Sequence, residues 1–316
     1  KFAGWRVSLV VGALVAVNPP LWDYSQEVRA YIAIPLIGLV LLYGAWRVLR
    51  YSRGEVVPTK LWALVFITEL VGIYTHNLGV PLVIWVNVAL GGAWLYGRDV
   101  RHMLTWAGLQ IALIIAYIPW LTTQSPSGTP LNTPPQPGLS LIRDIWASYF
   151  LPILPQLQGA LAANSGVLTL ILLFGVVSAG TVIISAGIVF WRSHKPSLHQ
   201  PEMPLHAPSI KQGWAFYLLM SHVLLVPALS IGLTLAANID FHPRYVIVAV
   251  PATLMLITFS MDVLTRRWRV IQTSALVFLM IMGGGISAWS LHSITTTRTY
   301  QHDDFTTLAD YYATLD

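Results

Sequence analysis

The sequence predicts an all-α fold, a polytopic transmembrane helical bundle of about nine spans. Apolar side chains make up 55% of the 316 residues and charged ones only 10%, outside the usual range of water-soluble domains. The apolar residues gather into nine runs of near-membrane length, since a bilayer core of about 30 Å needs about 20 residues of helix. The basic residues then sort to one side of those runs, as they do in cell membranes.

The runs fall at 5–21, 31–49, 61–75, 78–96, 104–121, 166–191, 213–237, 245–264 and 270–292, the third being the shortest. Nine crossings put alternate loops on opposite faces. Only Arg29, Arg143, Arg244 and Arg298 of the 18 Lys and Arg then lie on one face. The basic face is cytoplasmic by the positive-inside bias, which places the N-terminus of the chain inside a cell membrane and the C-terminus outside. The net charge of +5 follows from these loops and calls for no nucleic-acid partner. The absence of Cys excludes disulfides, thiolate catalysis and cysteine metal sites. Trp5, Trp22, Trp46, Trp62, Trp120, Trp191, Trp214 and Trp289 fall near the ends of runs, where indole anchors at the headgroup level.

Residue 1 is Lys and the first run starts almost at once without a signal-peptide layout, so an N-terminal segment is expected to precede it. The first outer loop, 18–30, meets the second span in Asn18-Pro19-Pro20-Leu21-Trp22-Asp23-Tyr24-Ser25-Gln26-Glu27-Val28-Arg29-Ala30-Tyr31. With a helix starting near Ser25, Asp23 precedes it, and Glu27 and Arg29 point about 200° apart. An acid and a base at one apolar mouth suit a metal ion, a sugar hydroxyl or a lipid phosphate; they equally suit a helix cap with an interfacial Arg. The third span carries Glu69, about two turns from the tight outer turn Thr75-His76-Asn77. An ionisable group there costs about 3 kcal/mol unless it faces a polar interior, which marks Glu69 as functional.

The outer loop 122–165 begins with a Pro-, Ser-, Thr- and Gly-rich run, 124–138, that excludes helix. Leu141, Ile145, Trp146, Tyr149 and Phe150 then recur at helical spacing, an interfacial helix that serves as an anchor or as a lid over an outer site. The inner loop 192–212 is rich in Pro and His and lacks periodicity, so it reads as a disordered linker without a frame to hold His194, His199 and His206 on a metal. His222, deep in the seventh span, reads as a neutral, hydrogen-bonded core residue. In the outer segment 238–245, Asp240-Phe241-His242-Pro243-Arg244-Tyr245, the Arg244 guanidinium fork suits a phosphate. The chain thus divides into a membrane domain, 1–292, and the start of an extracytoplasmic segment, 293–316, where Asp303, Phe305, Leu308 and Tyr312 are spaced as the opening of a helix.

Three of these segments carry a resemblance. Tyr24-Ser25-Gln26-Glu27-Val28-Arg29-Ala30-Tyr31 resembles the "YSQEaRmY" signature of bacterial GT-C superfamily membrane glycosyltransferases, the group related to glycosyltransferase family 39 and to dolichyl-phosphate-mannose-protein mannosyltransferases. Ile73-Tyr74-Thr75-His76-Asn77 resembles the "YTHY" turn that follows it in such proteins, with Asn77 in place of the family's common Tyr, and Arg244-Tyr245 with Pro251 resembles their late "RY…P" segment. The resemblance implies a GT-C-like bundle and an inverting hexosyltransferase that takes its sugar from a polyprenyl-phosphate donor, partly in the membrane lipid. The sugar goes to a glycan, lipid or protein acceptor on the extracytoplasmic face. It implies substrate binding by Glu27, Arg29, His76, Arg244 and Tyr245, with Glu27 and His76 as candidate ligands for a divalent metal ion. The general-base Asp of such enzymes lies in the first outer loop after their first span, a loop expected in the preceding N-terminal part. A lipid or small-molecule transporter or flippase, or a non-catalytic scaffold of the same fold, is the competing expectation.

Overall fold

The computed structural model describes residues 4–26, 32–51, 54–123, 146, 149, 165–194, 208–236, 243–265 and 268–296. Ten α-helices occupy them: α1 (Trp5–Ala16), α2 (Pro19–Gln26), α3 (Ala33–Val48), α4 (Thr59–Thr75), α5 (Gly79–Gly97), α6 (Val100–Thr123), α7 (Ser165–His194), α8 (Pro208–Ala236), α9 (Val250–Thr265) and α10 (Arg269–Thr296). A 3₁₀ helix, Pro243–Ala249, leads directly into α9, and the described residues contain no strand.

Each of the nine predicted runs coincides with helix. Six segments are long and apolar enough to cross a membrane: Gly79–Gly97, Val100–Thr122, Ile171–Trp191, Gly213–Leu233, Tyr245–Thr265 and Arg269–Ser290. The chain is therefore a membrane-embedded helical protein. The other three runs form shorter helices; α1, α3 and α4 have 12, 16 and 17 residues, roughly 18, 24 and 26 Å at 1.5 Å per residue.

The first run does not continue to residue 21. It ends at Ala16, and α2 begins inside what the sequence suggests is loop. The cause is local: the Asn18 side-chain oxygen accepts the Leu21 N–H at 3.2 Å, capping a helix whose first turn holds Pro19 and Pro20. Asp23 and Ser25 therefore belong to α2, and the next helix starts at Ala33 instead of near Ser25. The eighth run also departs from a uniform α-helix, because its first turns are 3₁₀.

α9 is the axis of the bundle. Twelve of its sixteen residues are buried, and α1, α3, α7, α8 and α10 all pack on it. Peripheral helices keep one apolar face open. On α6 this face is Leu104, Ile111, Ile114, Ile115, Ile118 and Leu121, and on α7 it includes Val176, Ile183, Ile184 and Phe190. Such faces are stable in acyl chains and not in water.

Interhelical contact is set by small residues. α3 and α4 are antiparallel: a Cβ on Gly44 would lie 2.7 Å from Val65 Cγ2, and one on Gly72 would lie 3.3 Å from Ile37 Cγ2. Gly72 and Gly79 bring the backbones of α4 and α5 together at their turn, where a Cβ on Gly79 would collide with the Gly72 carbonyl. Backbone cannot retreat as a side-chain tip can. Gly79→Ala is expected to lower stability by about 2–4 kcal/mol or to prevent folding. Gly91→Ala, whose new methyl meets nothing within 4 Å, is expected to be neutral; thermal unfolding in detergent checks the pair.

Candidate functional site at the turn between α4 and α5

The end of the bundle that carries the α4–α5 turn also holds the start of α3 and the 3₁₀ helix with Tyr245, whereas the described part of the first resembling segment, 24–26, lies on α2, which packs on α1 and α10. α3 begins there and touches α4, α5, α8, α9 and the 3₁₀ helix. The packing around Gly38 shows how closely: a Cβ added to it would lie 3.4 Å from Leu82 of α5, 3.4 Å from Val248 of the 3₁₀ helix and 3.5 Å from His222 Nε2 of α8. Ile37, one residue earlier, meets Gly72 of α4.

In the α4–α5 turn, His76 leaves the helix with extended backbone, and its carbonyl accepts the Gly79 N–H at 2.8 Å. Its ring Nδ1 accepts the Leu78 N–H at 3.0 Å. In the neutral ring this bond puts the proton on Nε2. Tyr245 is partly buried against the main apolar cluster. Arg244 is placed by its backbone in the 3₁₀ helix, while its side chain, together with Glu27 and Arg29, lies outside the described residues. Among the described residues no three His, Asp or Glu side chains converge on one point.

The loop 122–165 reaches the same end through two residues that the structure describes. Tyr149 is buried, and its carbonyl accepts the Asn18 amide at 2.8 Å, while the Trp146 indole N–H donates to the Ile171 carbonyl at 3.1 Å. Tyr149 also hydrogen-bonds Thr253 of α9. Spacing alone suggests an interfacial helix for this segment; these two aromatics instead insert between α1, α7 and α9.

Within the spans, Glu69 is buried and does face a polar group. Gln110 of α6 donates to both of its oxygens, at 3.2 and 3.0 Å. Asn87 of α5 donates to Gln110 Oε1 at 2.9 Å, and Trp106 Nε1 donates to Asn87 Oδ1 at 2.9 Å. Every donor in this relay points toward the carboxyl, so the bonds polarise one another in one direction. Sequence reasoning found Glu69 but missed Asn87, Trp106 and Gln110, whose signal was amide and indole groups inside apolar runs. At the opposite end of the bundle, both His102 ring nitrogens face oxygens, of Asp99 and of the Glu55 carbonyl, beside Trp62 and Trp94.

His222 is buried but not hydrogen-bonded as expected. Neither ring nitrogen has a partner among the described residues, and the ring stands edge-on to Trp85 at 4.6 Å between centroids.

No family model, curated protein or solved structure matches the chain.

Gln110→Leu removes the one side-chain donor shown on Glu69. A loss of about 2–3 kcal/mol is expected from the orphaned carboxyl, and Glu69→Leu combined with Gln110→Leu should recover most of it. Thermal unfolding of the three proteins in detergent provides the check; equal melting of Gln110→Leu and wild type would show that the network does not hold α6.

Proposed function

We propose that the chain is a nine-span, GT-C-like membrane glycosyltransferase segment that moves a sugar from a polyprenyl-phosphate donor to an acceptor on the extracytoplasmic face. The observation that carries this reading is the packing at Gly38: the helix that follows the first resembling segment, the helix that follows the second and the 3₁₀ helix that carries the third meet there. The basic-residue asymmetry supports an extracytoplasmic position for that end. A site at the membrane edge suits a substrate whose tail lies in lipid and whose head lies in water.

In the transfer, the acceptor hydroxyl oxygen bonds to the anomeric carbon as the bond from that carbon to the phosphate oxygen breaks. The electron pair leaves on the polyprenyl phosphate, and the hydroxyl proton goes to a carboxylate base. Arg244 is the first candidate to neutralise the leaving phosphate and Arg29 the second. Glu27 and Tyr245 are assigned to the sugar, and the His76 Nε2–H suits a sugar or phosphate oxygen.

One observation favours a different class. A carboxyl buried within the spans and served by a directional hydrogen-bond chain is common in transporters and flippases, which use midplane groups. The two readings depend on different residues. Membranes containing the chain within its full-length protein are assayed with radiolabelled polyprenyl-phosphate sugars. The transferase predicts at least a tenfold loss of transfer in Glu27→Gln and Arg244→Ala, with Glu69→Gln close to wild type. Transfer that is absent from every donor, with lipid or solute movement lost in Glu69→Gln, would establish the transporter instead.

A further inference from the structure

Both ring nitrogens of the buried His222 lack a hydrogen-bond partner among the described residues, as do the hydroxyls of Ser178, Ser260 and Ser290. An imidazole in either neutral tautomer presents one N–H and one lone pair, and each is costly to bury without a partner. A Phe or Leu at this position would pack against Trp85 without that cost. The ring is also aimed: Nε2 points at Gly38, where α3 presents bare backbone, and Leu82 and Val248 close the space on either side.

Val248 belongs to a second unusual element. The 3₁₀ helix Pro243–Ala249 runs for seven residues, whereas 3₁₀ runs beyond 3–4 residues are uncommon and often mark a hinge. It is continuous with α9, so winding it down to α-helix needs no break in the chain. That change shortens it by roughly 0.5 Å per residue and turns each residue by roughly 20° relative to the next. Val248, two residues from the start of α9, would turn by roughly 40° off Gly38.

We propose that Gly38, His222 and the 3₁₀ helix form a subsite for a phosphate-bearing lipid head, shown here closed by Val248. When the 3₁₀ helix winds down, Val248 leaves the seam and a phosphate oxygen takes the His222 N–H. The identity of the ligand rests on the polyprenyl-phosphate reading above; the seam and its opening do not.

The protein lacks Cys, so a single thiol can report the seam. Val248→Cys and, as a control for global unfolding, Leu41→Cys, buried on α3, are placed in the full-length protein in lipid nanodiscs and alkylated with N-ethylmaleimide. Alkylation at 248 is expected to be at least tenfold faster than at 41. Because the bound head holds Val248 out of the seam, sugar-free polyprenyl phosphate is expected to speed alkylation at 248 at least tenfold, and inorganic phosphate alone is not. Adding His222→Phe should abolish the acceleration while leaving the melting temperature equal or higher, and His222→Gln should restore part of it. Equal alkylation at 248 and 41, or full acceleration in the His222→Phe protein, overturns the subsite. Acceleration without sugar transfer from any donor keeps the subsite and sinks the transferase. Transfer without acceleration that depends on His222 keeps the transferase and sinks the subsite.

Discussion

The fold depends on close approach between helix backbones, because lipid removes the usual reason for helices to associate. Acyl chains solvate Leu and Ile as well as a protein core does, so burying them against another helix yields little. Van der Waals contact at short range and buried hydrogen bonds remain. Gly72 against Gly79, Gly44 against Val65, Gly175 against Trp146 and Gly283 against Leu14 are the points where a larger residue would force helices apart. These contacts fix where α3, α4 and α5 stand. The meeting of α3, α5, α8 and the 3₁₀ helix at Gly38 depends on them, since α3 could not lie between α4, α8 and the 3₁₀ helix without its small positions.

Buried polar bonds supply the specificity that apolar packing lacks here. Gln110 and Asn87 register α6 against α4 and α5, although most of the α6 surface faces outward. Gln272 donates to Asp262 across the α9–α10 connection, and Asn18 ties the loop residue Tyr149 to the start of α2. A slip of one helical position would strand each of these groups in an apolar interior, where an unmade bond is costly. The arrangement tolerates exchange of one outward aliphatic residue for another and not movement of its polar positions.

Much of this was legible in the sequence, and the failures have physical causes. The nine apolar runs located helices because burial and lipid exposure both demand apolar residues, so the signal survives either outcome. For the same reason hydropathy could not separate the six helices long enough to cross from the three shorter ones. The Asn18-Pro19-Pro20 cap was readable as a helix start but lay beside an apolar run that masked it. Tyr149 was visible as part of an amphipathic spacing, yet spacing cannot say whether an aromatic lies on a membrane surface or inserts between helices. Partner choice was the least legible feature: Glu69 announced itself by charge, while the amide that serves it lies 41 residues away on a helix that reads as uniformly apolar.

The polar groups of the interior fall into two kinds, and the difference bears on function. Glu69, Asn87 and Asp262 have partners, so they hold the frame. His222 has none among the described residues and stands where α3 is narrowest and where the helix above it is overwound. Folding alone gives no reason for that conjunction, because an apolar ring would fill the position with a lower desolvation cost. The hydroxyls of Ser178, Ser260 and Ser290 also lack partners among the described residues, but a hydroxyl is small, whereas His222 leaves two ring nitrogens unserved beneath a segment able to rewind, and that is the feature the proposed phosphate-bearing ligand would explain.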